Sequence, residues 1–151
     1  MLEFSAPQSL QPFFESHARD FITFFHSQGV HFSIACETSL IHFDPPLTQE
    51  LKDKIGKIGF FILSGYSFDS LEVFKDYFIF EAGLILEEGK DIGTILKIPY
   101  IGVVQILIQD QNTHQPTPIF FNPFEPIEAK RHEESMRAIL SKNASLLKDQ
   151  K

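Results

Sequence analysis

The sequence contains no tryptophan and a single cysteine, Cys36, among its 151 residues. One cysteine cannot form an internal disulfide, which excludes the class of small secreted domains stabilised by disulfides. Basic residues are also scarce, since 13 lysines and arginines against 20 aspartates and glutamates give a net charge of −7. The densest basic pair is Lys130–Arg131, so we do not expect a basic surface that binds nucleic acid.

A long hydrophobic run is missing as well. The longest apolar stretch, Ile98–Ile108, is interrupted by Tyr100, Gly102 and Gln105 and is shorter than the ~20 residues that cross a bilayer. The first eight residues, MLEFSAPQ, lack the basic flank and apolar centre of a signal peptide. We therefore expect a soluble protein of a reducing compartment, most simply the cytoplasm.

Motifs that carry catalytic or metal chemistry are not found. The six histidines show no metal-ligand spacing, and the sequence has no GxSxG, phosphate-binding loop or GxGxxG motif. Cys36 shares its predicted strand side with Phe32 and Ile34, which indicates a buried, inert thiol. Glu87–Glu88 adjoin Gly89 and are typical of a solvated turn. We expect a protein without catalytic activity, metal or cofactor.

Phenylalanine is abundant, with 17 residues in a chain that is 43% hydrophobic. Residues 9–28 read as a helix with Ser9 as N-cap and Gly29 as the stop signal. The apolar side chains of this helix recur at helical spacing, as Phe14, Ala18, Phe21 and Phe25, with Phe13 and Phe24 at the margin. Such a stripe either packs on its own domain or pairs with the same helix of a second copy.

The segment 30–121 has the alternation and turn signals of short strands. The predicted strands are Val30–Cys36, Ser39–Phe43, Ile58–Ser64, Ser70–Lys75, Tyr77–Leu86, Asp91–Ile98, one after Pro99 and Ile119–Phe121. One or two helical turns are expected in 46–57, and Gly83 and Gly93 are expected to mark bulges or close backbone approach. Turns are expected at Gly65, Lys75–Asp76 and Glu88–Lys90.

The order of these elements predicts an α+β fold, a small antiparallel β-sandwich or partly open barrel flanked by N-terminal and C-terminal helices. Residues 1–126 form one domain, with the β core at 30–121. Residues 127–151 are expected to form a helical tail.

Five blocks, in order, resemble those of the stringent starvation protein B (SspB) family, and its alpha-proteobacterial branch is the most similar. They are HFSIACET, HFDPPL, GFFILSGYSFDSLEVFKDYFIFEAGL, LKIPYIGVVQI and PIFFNPFEP, between His31 and Pro126. Members of this family are adaptors that carry ssrA-tagged proteins to the ClpXP protease. The resemblance implies a tag-binding groove, delivery to an AAA+ protease such as ClpXP, and a homodimer.

The resemblance also assigns roles to residues. The peptide-binding residues that it implies, with polar help from Tyr66, are Phe80, Glu81, Ala82, Ile119 and Phe120. The dimer interface would lie on the N-terminal helix, at Phe13, Phe14, Phe21 and Phe25. Two departures are notable: the hairpin between Leu84 and Ile95 is longer than the family's tight turn, and the tail is short, without a long linker. The resemblance thus supports recognition of a tag peptide better than it supports delivery to a protease.

Three hypotheses follow. The first is a peptide-binding adaptor, and the second is a structural or regulatory interaction domain that dimerises through the Phe-rich helix and binds no tag. The third is a small-molecule enzyme with a site in a barrel mouth, for which the strand region offers Glu72, Glu81, Tyr66 and Tyr77 as polar candidates.

Overall fold

Three α-helices and eight antiparallel strands form the part of the chain that the computed structural model describes, residues 7–87 and 90–124. The α-helices in this part are α1 Gln11–Gln28, α2 Gln49–Ile55 and α3 Gly65–Asp69. The strands are β1 Phe32–Glu37, β2 His42–Asp44, β3 Ile58–Leu63, β4 Glu72–Val73, β5 Tyr77–Glu87, β6 Lys90–Pro99, β7 Val103–Gln109 and β8 Pro116–Phe121. The predicted α+β class is confirmed.

The strands form two four-stranded antiparallel sheets, and in the described residues they do not close into a barrel. The first sheet has the order β3-β1-β7-β8, and the second has the order β2-β6-β5-β4. Both sheets contribute to one hydrophobic core, in which the rings of Phe61 on β3 and Phe80 on β5 lie 6.1 Å apart. Each sheet therefore has one buried face, and its outermost strands have an edge without a partner strand.

Helix α1 begins differently from the prediction. Ser9 lies inside a one-turn 3-10 helix, Gln8–Leu10, and the N-cap of α1 is Leu10, without a side-chain hydrogen bond. Pro12 in the first turn supplies the preset φ that starts a helix without a capping oxygen. On its inner face, Ala18 and Ile22 are fully buried.

The end of α1 matches the prediction at Gly29. This residue has a left-handed backbone, with φ of 68°. Its N–H donates to the carbonyl of His26 at 3.3 Å, and the N–H of Val30 donates to the carbonyl of Phe25 at 2.9 Å. These two bonds are those of a Schellman motif, which satisfies the last helix carbonyls. The turn directs the chain from α1 into β1.

The segment between β3 and β5 differs most from the prediction. Where a turn at Gly65 and a strand over Ser70–Lys75 were expected, the chain forms α3, and β4 has two residues only. The reason is burial of Phe68, whose ring lies 6.4 Å from that of Phe32 in the core. Tertiary packing thus decides the local structure of residues 65–69, for which the sequence predicted only a turn.

The hairpin of β5 and β6 is regular where bulges were expected. Gly83 pairs directly with Gly93, and the irregularity lies between Leu84 and Glu87 instead. Both glycines lie on the exposed side of the sheet, so no packing side chain is lost there.

Other expectations are resolved element by element. The helical turns expected in 46–57 are α2, and the strand expected after Pro99 is β7, which follows a 3-10 turn at Tyr100–Gly102. Strand β8 begins three residues before the predicted Ile119. The predicted C-terminal helix, 127–151, lies outside the described residues. None of the described helices has the length and apolar character needed to cross a membrane.

We expect the substitution Gly29→Ala to lower the free energy of unfolding by roughly 1 kcal/mol, because a Cβ disfavours the left-handed backbone. No atom lies within 4 Å of the position a Cβ would occupy, so steric overlap does not contribute. Urea denaturation followed by circular dichroism measures the change. Gly29→Asn is the matched control and should cost less, since Asn tolerates this conformation. Equal stability of the Ala variant and the unsubstituted chain would contradict the assignment.

Candidate functional site

A cleft of about 450 Å³ lies between the start of α3 and strand β5. The residues that line it come from the start of α3 with its N-cap Ser64, from β5 and from β6: Ser64, Tyr66, Ser67, Glu81, Ala82, Gly83 and Gly93. Among these side chains only Glu81 carries a formal charge at neutral pH. The cleft is thus an open, weakly acidic site that is rich in hydroxyl groups.

The edge of β5 opens into this cleft because β4 is so short. Strand β4 pairs only with Phe78 and Ile79, whereas β5 continues to Glu87. Among the described residues no other strand covers the rest of that edge. A long strand with one free side offers unpaired backbone groups to a ligand in extended conformation.

Hydrogen bonds show which backbone groups face the open edge. The N–H of Phe74 donates to the carbonyl of Tyr77, and the N–H of Glu81 donates to Ser70 Oγ at 2.9 Å. Since these directions alternate along a strand, residues 77, 79, 81 and 83 present their groups on the side of β4. The carbonyl of Glu81 and both backbone groups of Gly83 therefore point toward the open edge.

Two facing glycines form the floor of the cleft. Gly83 lies opposite Gly93 on the paired strand. A Cβ placed on Gly93 meets only Glu81 Oε1, at 3.8 Å, so the position is open. The absence of side chains lets a ligand approach the backbone of the hairpin closely.

Tyr66 and Glu81 form the polar wall of the cleft. The Tyr66 hydroxyl donates a hydrogen bond to Glu81 Oε2 at 3.0 Å, although Tyr66 itself is 67% exposed. This hydrogen bond, with the negative charge of Glu81, raises the pKa of Tyr66. The pair joins α3 to β5 across the mouth of the cleft.

We expect Glu81→Gln to lower the pKa of Tyr66 toward its ordinary value, because the substitution removes the charge that opposes phenolate formation. Absorbance of tyrosinate as a function of pH measures this shift, and Tyr66→Phe identifies which transition belongs to Tyr66. Tyr100 is an internal reference, since burial raises its pKa to about 12. An unchanged titration in the Gln variant would show that the contact with Glu81 does not exist in solution.

Three of the predicted peptide-binding residues, Tyr66, Glu81 and Ala82, line the cleft together. Phe80 does not. It is 1% exposed, and its ring packs at 6.1 Å from those of Phe61 and Phe78. The placement of its side chain in a groove is therefore wrong for this structure: alternation turns Phe80 and Ala82 toward the core. Ala82 reaches the cleft only at its margin, with 8% of its surface exposed.

The other two predicted binding residues are in the other sheet. Ile119 is half-buried and Phe120 is buried, both on β8. The ring of Phe120 lies 6.3 Å from that of Phe14 and 5.9 Å from that of Phe21. Phe120 thus supports α1, Ile119 packs against the core, and the structure does not bring either residue to the cleft.

The predicted dimer residues of α1 divide into two groups. Phe14, Phe21 and Phe25 are half-buried and pack against the core of their own chain. Phe13, the fourth predicted residue, is 57% exposed, and Phe24 is 60% exposed. Three of the four predicted interface residues thus stabilise the fold of their own chain, because the side of the helix that carries them packs against the core.

Sequence reasoning missed Ser64, Ser67 and the role of the glycine pair. Gly83 lies five residues before the predicted turn at Glu88–Lys90 and Gly93 lies three residues after it, so a regular hairpin about that turn would not pair them. The register shift between Leu84 and Glu87 brings the two glycines opposite each other. The two serines had no signal, because α3 itself was not predicted.

The polar candidates for an enzyme site are not gathered in one place. Tyr77 stacks on Phe74 at 4.9 Å, with Lys97 Nζ 4.2 Å from its ring centre, and it does not line the cleft. Cys36 is fully buried, and burial raises the pKa of its thiol. In residues 7–87 and 90–124 no three histidine, cysteine or acidic side chains are grouped as for a metal ion.

No protein-family model matches this sequence, and no curated protein matches it.

Proposed function

We propose that the chain is a non-catalytic domain that binds an extended peptide at the open edge of β5. The observation that carries this proposal is the length of β5, which extends beyond its short partner β4 beside a cleft. A peptide that adds a strand to such an edge gains backbone hydrogen bonds irrespective of its sequence. The cleft volume is in the range of roughly 300–1,000 Å³ usual for ligand sites.

The geometry of the edge supports strand addition in this position. Ser70 Oγ already accepts from the N–H of Glu81, so the bound strand would begin at the carbonyl of Glu81. It would continue to Gly83, which lacks a side chain. Residues of the peptide alternate in direction, so every second side chain would lie over the glycine floor or contact Tyr66.

The SspB resemblance makes this proposal more specific. In that reading the peptide is an ssrA-like degradation tag, and the domain is an adaptor that helps deliver tagged proteins to an AAA+ protease such as ClpXP. The cleft shares Glu81 and Ala82 with the residues that the resemblance implies, together with Tyr66, which was expected to give polar help. Phe80 would then support the strand from the core side, and Phe120 would hold α1.

We expect Gly93→Val to weaken peptide binding about tenfold or more, because a branched side chain fills the floor of the cleft; tenfold corresponds to about 1.4 kcal/mol. Fluorescence anisotropy of a labelled ssrA-type peptide, with a scrambled peptide alongside, measures this. The fold should persist, since the nearest atom to the new Cβ lies at 3.8 Å and valine favours strands.

Ile95→Val is the matched control, because Ile95 is an exposed residue of the same strand that does not line the cleft. Its affinity should equal that of the unsubstituted chain. Binding of the tag but not the scrambled peptide supports the adaptor reading. Binding of both supports a general strand acceptor. A Gly93→Val variant that binds normally would place the peptide elsewhere.

A second candidate is an interaction domain that binds no tag and contacts its partner, or a second copy, through α1. The observation that favours it is the exposure of Phe13 and Phe24, with a cavity of about 300 Å³ lined by His17, Asp20, Phe21 and Phe24. Exposed aromatic side chains beside a cavity are typical of contact surfaces. A Phe24→Lys substitution should abolish such contacts without affecting the fold.

A further inference from the structure

Strand β3 is a second open edge, and it differs chemically from the cleft. It is the outermost strand of the sheet β3-β1-β7-β8, and no other described strand covers its outer side. Along β3, exposed and buried residues alternate. The exposed ones are Ile58 at 43%, Phe60 at 49% and Ile62 at 62%. Natural edge strands usually carry charges or proline to prevent pairing, and this strand has neither.

The backbone groups on the outer side belong to the same three residues. The N–H of Thr38 donates to the carbonyl of Lys57 at 2.9 Å, in the register that pairs Glu37 with Ile58. Residue 57 therefore faces β1, and so do 59, 61 and 63, because the direction alternates. Ile58, Phe60 and Ile62 are left with N–H and C=O groups directed away from the sheet.

We propose that β3 pairs with β3 of a second copy of this chain, antiparallel, about a twofold axis at Phe60. Each residue then pairs with the one at the same distance on the other side of the axis. Phe60 meets Phe60 of the second copy, and Ile58 meets Ile62. All the outward backbone groups of the three residues find partners, and the two sheets join into one of eight strands.

Self-pairing fits this strand because it is complementary to itself. The register that satisfies the backbone groups also places every exposed apolar side chain beside another on the same face, as a twofold interface requires. No charged residue lies between Lys57 and Asp69. Two chains with a net charge of −7 thus approach through an uncharged segment, so no like charges face each other along the paired strands.

The expected dimer is weak. Three half-exposed side chains per copy bury less than the roughly 800 Å² per partner of a standard interface. Association should therefore depend on concentration. This inference is independent of peptide binding at β5, since the two edges are in different sheets.

Sedimentation velocity of the full chain, from about 10 µM to about 1 mM, tests the proposal in a range suited to a weak interface. The unsubstituted chain should shift from monomer to dimer. Phe60→Lys and Phe60→Glu should each remain monomeric, because like charges would face each other at the axis. An equimolar mixture of the two variants should dimerise again, since opposite charges then meet. Thermal unfolding of each variant verifies that it is folded.

Phe24→Lys distinguishes the edge of β3 from α1, because Phe24 is an exposed phenylalanine on α1, at 60% against 49% for Phe60. It should dimerise like the unsubstituted chain. Loss of the dimer in this variant, with a persistent dimer in Phe60→Lys, would assign the interface to α1 and overturn the proposal. A monomer at every concentration, or a mixture that does not associate, would overturn it as well.

Discussion

Packing of phenylalanine rings between the two sheets is the interaction on which the rest of this structure depends. Phe61 comes from the edge strand of one sheet, and Phe78 and Phe80 come from the long strand of the other. A side chain of this size removes a large apolar surface from water, so these rings contribute much of the core that both sheets share. Each sheet has only one face to bury in this way. Its edges are consequently left to be covered by other elements or to remain open.

The two open edges have different origins. Between β3 and β5 the chain turns into α3, which inserts Phe68 into the core. Because these residues form a helix, they do not extend β4, and β5 keeps a free side from Glu81 onward. Strand β3 has an open side because it is the outermost strand of its sheet among the described residues.

The two open edges differ in chemistry, and we therefore propose a different partner for each. The edge of β5 lies beside hydroxyl groups, one carboxylate and a glycine pair, features that accommodate the backbone of a peptide. The edge of β3 is uniformly apolar and self-complementary, features that suit a second copy. Helix α1 has a third exposed surface, but most of its phenylalanines are used by the core, so fewer remain for a partner than the sequence pattern alone indicates.

The sequence by itself determined the elements whose signals are local. The stripe of Phe14, Ala18 and Phe21 predicted α1, Gly29 predicted its end, and the apolar run Ile58–Ser64 predicted β3.

Tertiary structure alone decided the rest. Of the six residues predicted to bind a peptide, only Tyr66, Glu81 and Ala82 meet at one cleft. Strand alternation has two possible phases, and only the core shows that Phe80 faces inward. Residues 65–69, for which the sequence predicted only a turn, form α3 and bury Phe68. Sheet order separated Phe120 from the cleft, because which strands become neighbours depends on contacts between residues far apart in the chain, and these leave no local pattern.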